Sequence, residues 1–323
     1  MTIDGLTIHI GDCRESMRRI PEQSVQTCVT SPPYFGLRDY GHDGQIGLEP
    51  TPDEFVAALV EVFREVRRVL RDDGTCWLNL GDSYANSGQT GLNDNSSGKS
   101  TLGPKRDGLG AKNKAWTRSR PPQTVPQGLK PKDLIGAPWR VAFALQADGW
   151  WLRQDLIWHK PKPMPESVTD RCTKAHEYIF LLTKSARYYF NAEAIAEAGV
   201  GRERYFGSDN YSAGSGRNDS GSYNNEPCDK RNKRSVWSVS TKPYSGAHFA
   251  TFPPDLIEPC ILAGSKPGDV VLDPFGGSGT TAGVALKHGR HAVLCELNPE
   301  YAALIPDRVA DVHPHLNQQR LFA

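Results

Sequence analysis

Thr30-Ser31-Pro32-Pro33-Tyr34 puts a small hydroxyl, two backbone positions without a donor and an aromatic ring next to one another. The two prolines end the β-branched, half-apolar stretch Val25-Gln-Thr-Cys-Val29 and remove two backbone N–H groups. The carbonyls of this turn are then left facing outward as free acceptors. A planar base with an exocyclic NH₂ could give its two amino protons to the Ser31 hydroxyl oxygen and a turn carbonyl, and stack on Tyr34. The plain alternative is a strand that ends in a proline turn with a packed tyrosine.

A second constellation lies far downstream. Asp269-Val-Val-Leu-Asp273 reads as a buried strand, Pro274-Phe275-Gly276-Gly277-Ser278-Gly279-Thr280-Thr281 as a glycine turn, and the run from Ala282 to His288 as a helix that stops at Gly289. Strand, glycine turn and helix in that order make a ligand-binding element of an open α/β sheet, because glycine lets the backbone approach a ligand closely. No Lys follows the last glycine, so the turn is not a phosphate P-loop, and its spacing is not G-x-G-x-x-G. The next strand, His291-Ala-Val-Leu-Cys-Glu296, ends in a carboxylate where an acid commonly accepts the ribose hydroxyls of a nucleoside cofactor.

Together these motifs resemble the amino-methylating DNA methyltransferases. Asp273-Pro-Phe-Gly-Gly-Ser-Gly279 matches that family's cofactor loop and Ser31-Pro-Pro-Tyr34 its catalytic motif. The catalytic motif precedes the cofactor loop, an order similar to the family's circularly permuted β group. Gly11-Asp12, Trp158-His-Lys160-Pro161, the stretch from His176 to Lys184 and His248-Phe-Ala-Thr-Phe-Pro253 match further motifs.

The resemblance implies S-adenosyl-L-methionine as cofactor and double-stranded DNA as partner, with the target base flipped out of the duplex. It implies catalytic roles for Ser31, Pro32, Pro33 and Tyr34. Cofactor contacts would come from Asp12, Thr30, Asp273, Pro274, Phe275, Gly276, Gly277, Ser278, Gly279, Thr280, Thr281 and Glu296, with His248 and Phe252 beside them. DNA contacts would come from Trp158, Lys160, Lys230, Arg231, Lys233 and Arg234. A buried Trp at a strand end is as readily core, and the four basic residues as readily keep a loop soluble. His176 and Glu177 read as structural hydrogen-bond partners beside an apolar strand. In the family Ser-Pro-Pro-Tyr goes with cytosine N4 and Asp-Pro-Pro-Tyr with adenine N6, so cytosine is expected and adenine is the alternative. A neutral hydroxyl can both accept from an amine and donate to a ring nitrogen, which a carboxylate cannot. A methyltransferase for a protein amide would carry Asn-Pro-Pro-Tyr after its cofactor loop. Carbon-5 chemistry would need a cysteine nucleophile, and Cys260 falls on the apolar face of a helix. A DNA-binding protein that kept this fold without its chemistry is the non-enzymatic rival, which the intact acceptors and glycine loop oppose.

The elements that must position these residues alternate. Strands are expected at 6–10, 25–29, 75–80, 152–158, 176–183, near 187–190, 269–273 and 291–296. Helices are expected at 14–20, from the capping box Thr51-Pro-Asp-Glu54 to Gly74, from Lys132-Asp133 to about Ala147, and at 255–263. The pattern predicts an α/β fold with a doubly wound, mostly parallel sheet of the methyltransferase type, in permuted order and with loop insertions. Residues 1–84 and 131–194 would form the catalytic half, 85–130 a mobile basic insertion, 195–245 a target recognition region and 246–323 the cofactor half.

The chain has 323 residues and a net charge of only +1, which gives no global nucleic-acid signature. The basic residues cluster instead, eight Lys/Arg against two acids in 101–133 and eight against five in 201–245. Such segments on a neutral scaffold suit phosphate contact over part of the surface. Seven cysteines without a C-x-x-C pair argue against structural zinc and for reduced thiols, hence a cytoplasmic location, nucleoid-associated through DNA. No run reaches the length of a membrane span. No metal is expected; a cognate restriction endonuclease and a homodimer stay open as partners.

Overall fold

The computed structural model of the protein describes residues 3–85, 125, 126, 128–199, 229–241 and 252–314. Eight strands form one sheet in the order β1-β10-β9-β2-β3-β5-β4-β8. They are β1 (Leu6–Ile10), β2 (Val25–Thr30), β3 (Leu70–Leu80), β4 (Trp151–His159), β5 (His176–Thr183), β8 (Val236–Ser238), β9 (Val270–Asp273) and β10 (His291–Glu296). A separate pair joins β6 (Glu197–Ala198) to β7 (Lys230–Arg231). Within the eight-stranded sheet only β5 runs against its neighbours; the other pairings are parallel.

The central strands β2, β5 and β9 are buried along most of their length because both faces of the sheet are covered there. Cys28, Cys76, Leu272 and Phe180 point to one face. There they pack with Phe55, Leu59, Phe63 and Val66 of helix α2 (Pro52–Val69) and Val141 and Leu145 of α3 (Ala137–Ala147). Their chain neighbours Val29, Trp77, Val271 and Leu181 point to the other. That face is closed by α4 (Pro254–Gly264), α5 (Thr280–Lys287) and α7 (Ile305–Val312). Two short helices, α1 (Cys13–Met17) and α6 (Pro299–Ala302), follow β1 and β10.

Helix α2 starts as its sequence predicts: Thr51 Oγ1 accepts from the Glu54 N–H and Glu54 Oε2 accepts from the Thr51 N–H, a reciprocal cap worth about 1 kcal/mol. Three expectations need correction. Helix α2 ends at Val69, and residues 70–74 already belong to β3. Helix α3 begins at Ala137 rather than near 132, because the left-handed Gly136 sets its start and Asp82, at the end of β3, caps it by accepting from the Gly136 and Ala137 N–H groups. Residues 187–190 form no strand; Tyr189 N–H donates to the Asp73 carbonyl, tying the segment to the beginning of β3. Helices α6 and α7 and strand β8 have no counterpart among the expected elements. Among the described residues no helix is long and apolar enough to cross a membrane.

Candidate active site

Because seven strands point one way, the carboxyl ends of β1, β10, β9, β2, β3 and β4 share one edge with the amino end of β5. The turn after β2 and the glycine turn after β9 meet there, although more than two hundred residues separate them. They line one cavity, with Asp12 after β1, Glu296 at the end of β10 and the segment from Leu37 to Ile46.

The two turns are tied by a buried carboxylate. Asp273, 2 % exposed, accepts from Thr30 Oγ1 at 2.6 Å, Thr281 Oγ1 at 2.7 Å and the Phe275 N–H at 3.0 Å. Burial raises its pKa to about 6, against those three donors, which lower it. Thr30 and Thr281 thus spend their hydroxyls on Asp273 rather than on the cavity, and Thr280 accepts from Arg308. Gly277 has φ +51° and Gly279 φ +93°, conformations suited to glycine. A Cβ on Gly276 would meet the Leu294 Cβ at 2.9 Å. Ser278 is buried, lines the cavity, and its hydroxyl has no hydrogen-bond partner among the described residues.

Glu296 accepts one hydrogen bond on each oxygen, from the Gly277 N–H at 2.7 Å and the Asn298 N–H at 2.9 Å. Each oxygen keeps a lone pair for a ligand hydroxyl. Burial lifts its pKa above the ordinary glutamate value, partly offset by those two N–H donors. Asp12 caps α1 and pairs with Arg14 at 2.7 Å, which holds its carboxyl below the usual range. Pro274, Phe275 and Phe252 line the same cavity. His248 lies outside the described residues.

On the other side, the Ser31 hydroxyl stands 3.5 Å from the Tyr34 hydroxyl. Tyr34 has Glu177 Oε2 at 2.6 Å and Asn79 Oδ1 at 3.3 Å as acceptors. One phenolic proton cannot serve both well, so the shorter bond to Glu177 takes it. Burial, then the Glu177 carboxylate, push the phenol well above its ordinary pKa and keep it neutral. Asn79 also donates to Glu177 Oε2 and to the Tyr178 carbonyl. Lys160 pairs with Glu177 Oε1 and lies over the Trp158 ring at 4.3 Å. Behind Tyr34 the backbone comes so close that a Cβ on Gly81 would meet its ring at 2.4 Å.

Several expected contacts are placed differently. Trp158 is 3 % exposed and its indole N–H donates to the Val239 carbonyl, so its side chain packs in the core. Lys160 is held inside the Glu177 cluster. Arg231 and Arg234 both pair with Glu197, Lys230 faces Glu193, and Lys233 lies over Trp237. None of the four lines the cavity. Glu177 and Asn79 are the residues sequence reasoning undervalued. A polar residue opening an apolar strand was visible, but not that β5 runs backwards and so delivers Glu177 to this edge. Cys260 is 1 % exposed and its thiol is pushed up by burial, as an inert core residue should be.

The DNA methylase family (N6/N4 methyltransferases) matches residues 25–307. The Type II methyltransferase M.Cfr9I of Citrobacter freundii is 48 % identical over 309 residues, 96 % of this chain and 89 % of that protein. Among solved structures, the PvuII DNA methyltransferase (cytosine-N4-specific) superposes with a TM-score of 0.62 at 19 % identity, covering 98 % of this chain and 93 % of that one. The Thermus thermophilus protein TTHA0409, complexed with S-adenosyl-L-methionine, gives 0.58 at 23 % identity over 95 % and 94 %. At such identities these two establish the fold.

Proposed function

This chain belongs to the DNA methylase family of N6/N4 methyltransferases, and we propose that it moves a methyl group from S-adenosyl-L-methionine to the exocyclic N4 amine of a cytosine flipped out of duplex DNA. The observation that carries the reading is the meeting of the acceptor turn at Ser31 and the glycine turn at Gly276 in one cavity. The cofactor half fits a nucleoside. Glu296 offers open lone pairs, and the glycine turn that lines the cavity packs so closely on Leu294 and Ile305 that no Cβ fits at Gly276 or Gly279.

Bound S-adenosyl-L-methionine supplies an electrophilic methyl on a sulfonium. The chain's own task is orientation and local electrostatics. Ser31 and the Pro32 carbonyl accept hydrogen bonds from the two amino N–H groups, which favours a pyramidal nitrogen with its lone pair free for in-line attack. As the N–C bond forms the cofactor's S–C bond breaks, and the amine releases one proton. Tyr34, fixed by Glu177 and backed by Gly81, presents its ring to the base. The Lys160 ammonium balances the Glu177 carboxylate, and the acceptor this reading assigns to the amine, Ser31, is a neutral hydroxyl. That neutrality, and the cytosine-N4 specificity in the name of the PvuII enzyme, support cytosine over adenine N6.

In this reading residues 1–84 and 131–194 handle the base, 246–323 the cofactor, and 195–245, helped by 85–130, recognise the target sequence. The relative's Type II designation makes a cognate restriction endonuclease the expected companion. The test is to incubate DNA with the protein and labelled cofactor, digest to nucleosides and identify the labelled one. N4-methylcytosine is expected. N6-methyladenine would keep the mechanism and overturn the role given to Ser31, and no label would overturn the whole.

A further inference from the structure

The loop between β4 and β5 leaves from the catalytic edge, and its limbs are braced. At its root Lys160 pairs with Glu177 and its N–H donates to the Ala175 carbonyl. On the returning limb, Asp170 pairs with Lys132 at 2.7 Å and the Arg171 guanidinium lies 4.0 Å over the Tyr84 ring. Arg171 also pairs with Glu166 at 2.6 Å, closing the loop across its own width. Lys132 makes its contact from φ +71°, a left-handed conformation that few non-glycine residues adopt, so the brace is held against local strain.

The apex so supported is Pro161-Lys162-Pro163-Met164-Pro165. Three prolines fix the backbone torsions and leave little freedom. Met164 is 86 % exposed, the most exposed large apolar side chain among the described residues. Apolar side chains left in water at a functional edge invite a partner surface, and Met and Pro are among the residues that wedge between stacked bases. Lys162 beside it is exposed and suits a phosphate.

Resting on the proposed DNA reaction, we infer that Met164 is a prong that enters the stack and fills the gap left by the flipped target base. The flipped base leaves a gap of apolar, stacking character, and the prong's root is one contact away from the Glu177–Tyr34 pair that would receive the base. Filling the gap stabilises the extruded state without touching the reacting atoms.

The test uses the full chain and a duplex carrying its recognition site, located by sequencing methylated DNA. A second duplex has an abasic position opposite the target, so that no pair needs breaking. Since extruding a paired base must first unpair and unstack it, Met164→Ala should lower kcat/KM at least about tenfold on the paired duplex and less than about threefold on the abasic one. Met164→Leu, which keeps the apolar bulk, should restore most of the loss. An equal fall on both duplexes, or none on either, overturns the prong. Wild-type transfer on the same DNA is read first: its absence overturns the parent reading and the prong together, whereas normal wild-type transfer with an unchanged ratio overturns the prong alone.

Discussion

Asp273 is a carboxylate kept by its neighbours in a place that disfavours its charge. Its folded pKa of about 6 lies above the 3.8 of an exposed aspartate. The sign follows: the stability contributed by the protonated form is fully present below about pH 4 and is lost as pH rises through 6. A shift of about two units corresponds to roughly 3 kcal/mol over that window. Asp273→Asn, neutral throughout, should flatten the wild-type decline in urea-unfolding stability between pH 4 and 6. The same slope in the variant would show that another group titrates there. Tyr34 makes the complementary case, a phenol kept neutral by burial and by Glu177, so that it keeps the proton it donates to that carboxylate.

Turns do the positioning at the scale of elements, and two glycines separate their contributions. Gly81 lies at the end of β3 against the Tyr34 ring, whereas Gly276 lies after β9 against Leu294. Gly81→Ala must push the ring away, and a displacement near 1 Å at a reacting centre can cost about 100-fold. Its kcat should fall by that order while cofactor affinity, read by equilibrium dialysis, stays within about threefold. Gly276→Ala should do the reverse: cofactor affinity falls at least about tenfold, and stability falls by about 1–3 kcal/mol because the Leu294 side and the Cys295 carbonyl cannot retreat. Loss of cofactor binding in Gly81→Ala would mean that the two halves are not separable. Helix α3 shows the same dependence on distant partners, since Asp82 caps it from 54 residues away.

Charge becomes informative at the scale of the whole molecule. A net charge of +1 hides a local cluster at the β4–β5 loop, where Lys132 pairs with Asp170, Arg171 pairs with Glu166 and Lys162 is exposed. If DNA lies along this loop with three or more phosphates neutralised, doubling the salt from about 0.1 to 0.2 M should weaken DNA binding about sixfold or more. Cofactor affinity, set within the cavity, should change less than about twofold. A flat DNA titration by fluorescence anisotropy would move the duplex to another face. The sheet explains why one edge collects everything: seven strands in one direction bring their carboxyl ends together, where open α/β sheets hold ligands.

Local chemistry was determined by the chain alone. Two prolines strip donors from any turn they occupy, Gly-Gly-Ser-Gly after a buried strand opens the backbone to a ligand wherever it sits, and Thr51–Glu54 caps its helix from residues three apart. The alternation of strands with helices likewise announced a doubly wound sheet. Partnership across distance was decided only by the tertiary structure. Thr30 meets Asp273 over 243 residues, and Trp158 turns inward to Val239. Glu177 reaches Tyr34 because β5 alone in its sheet runs antiparallel. Sequence spacing carries no record of strand direction, and a side chain's freedom to face a ligand depends on which groups its neighbours have already claimed.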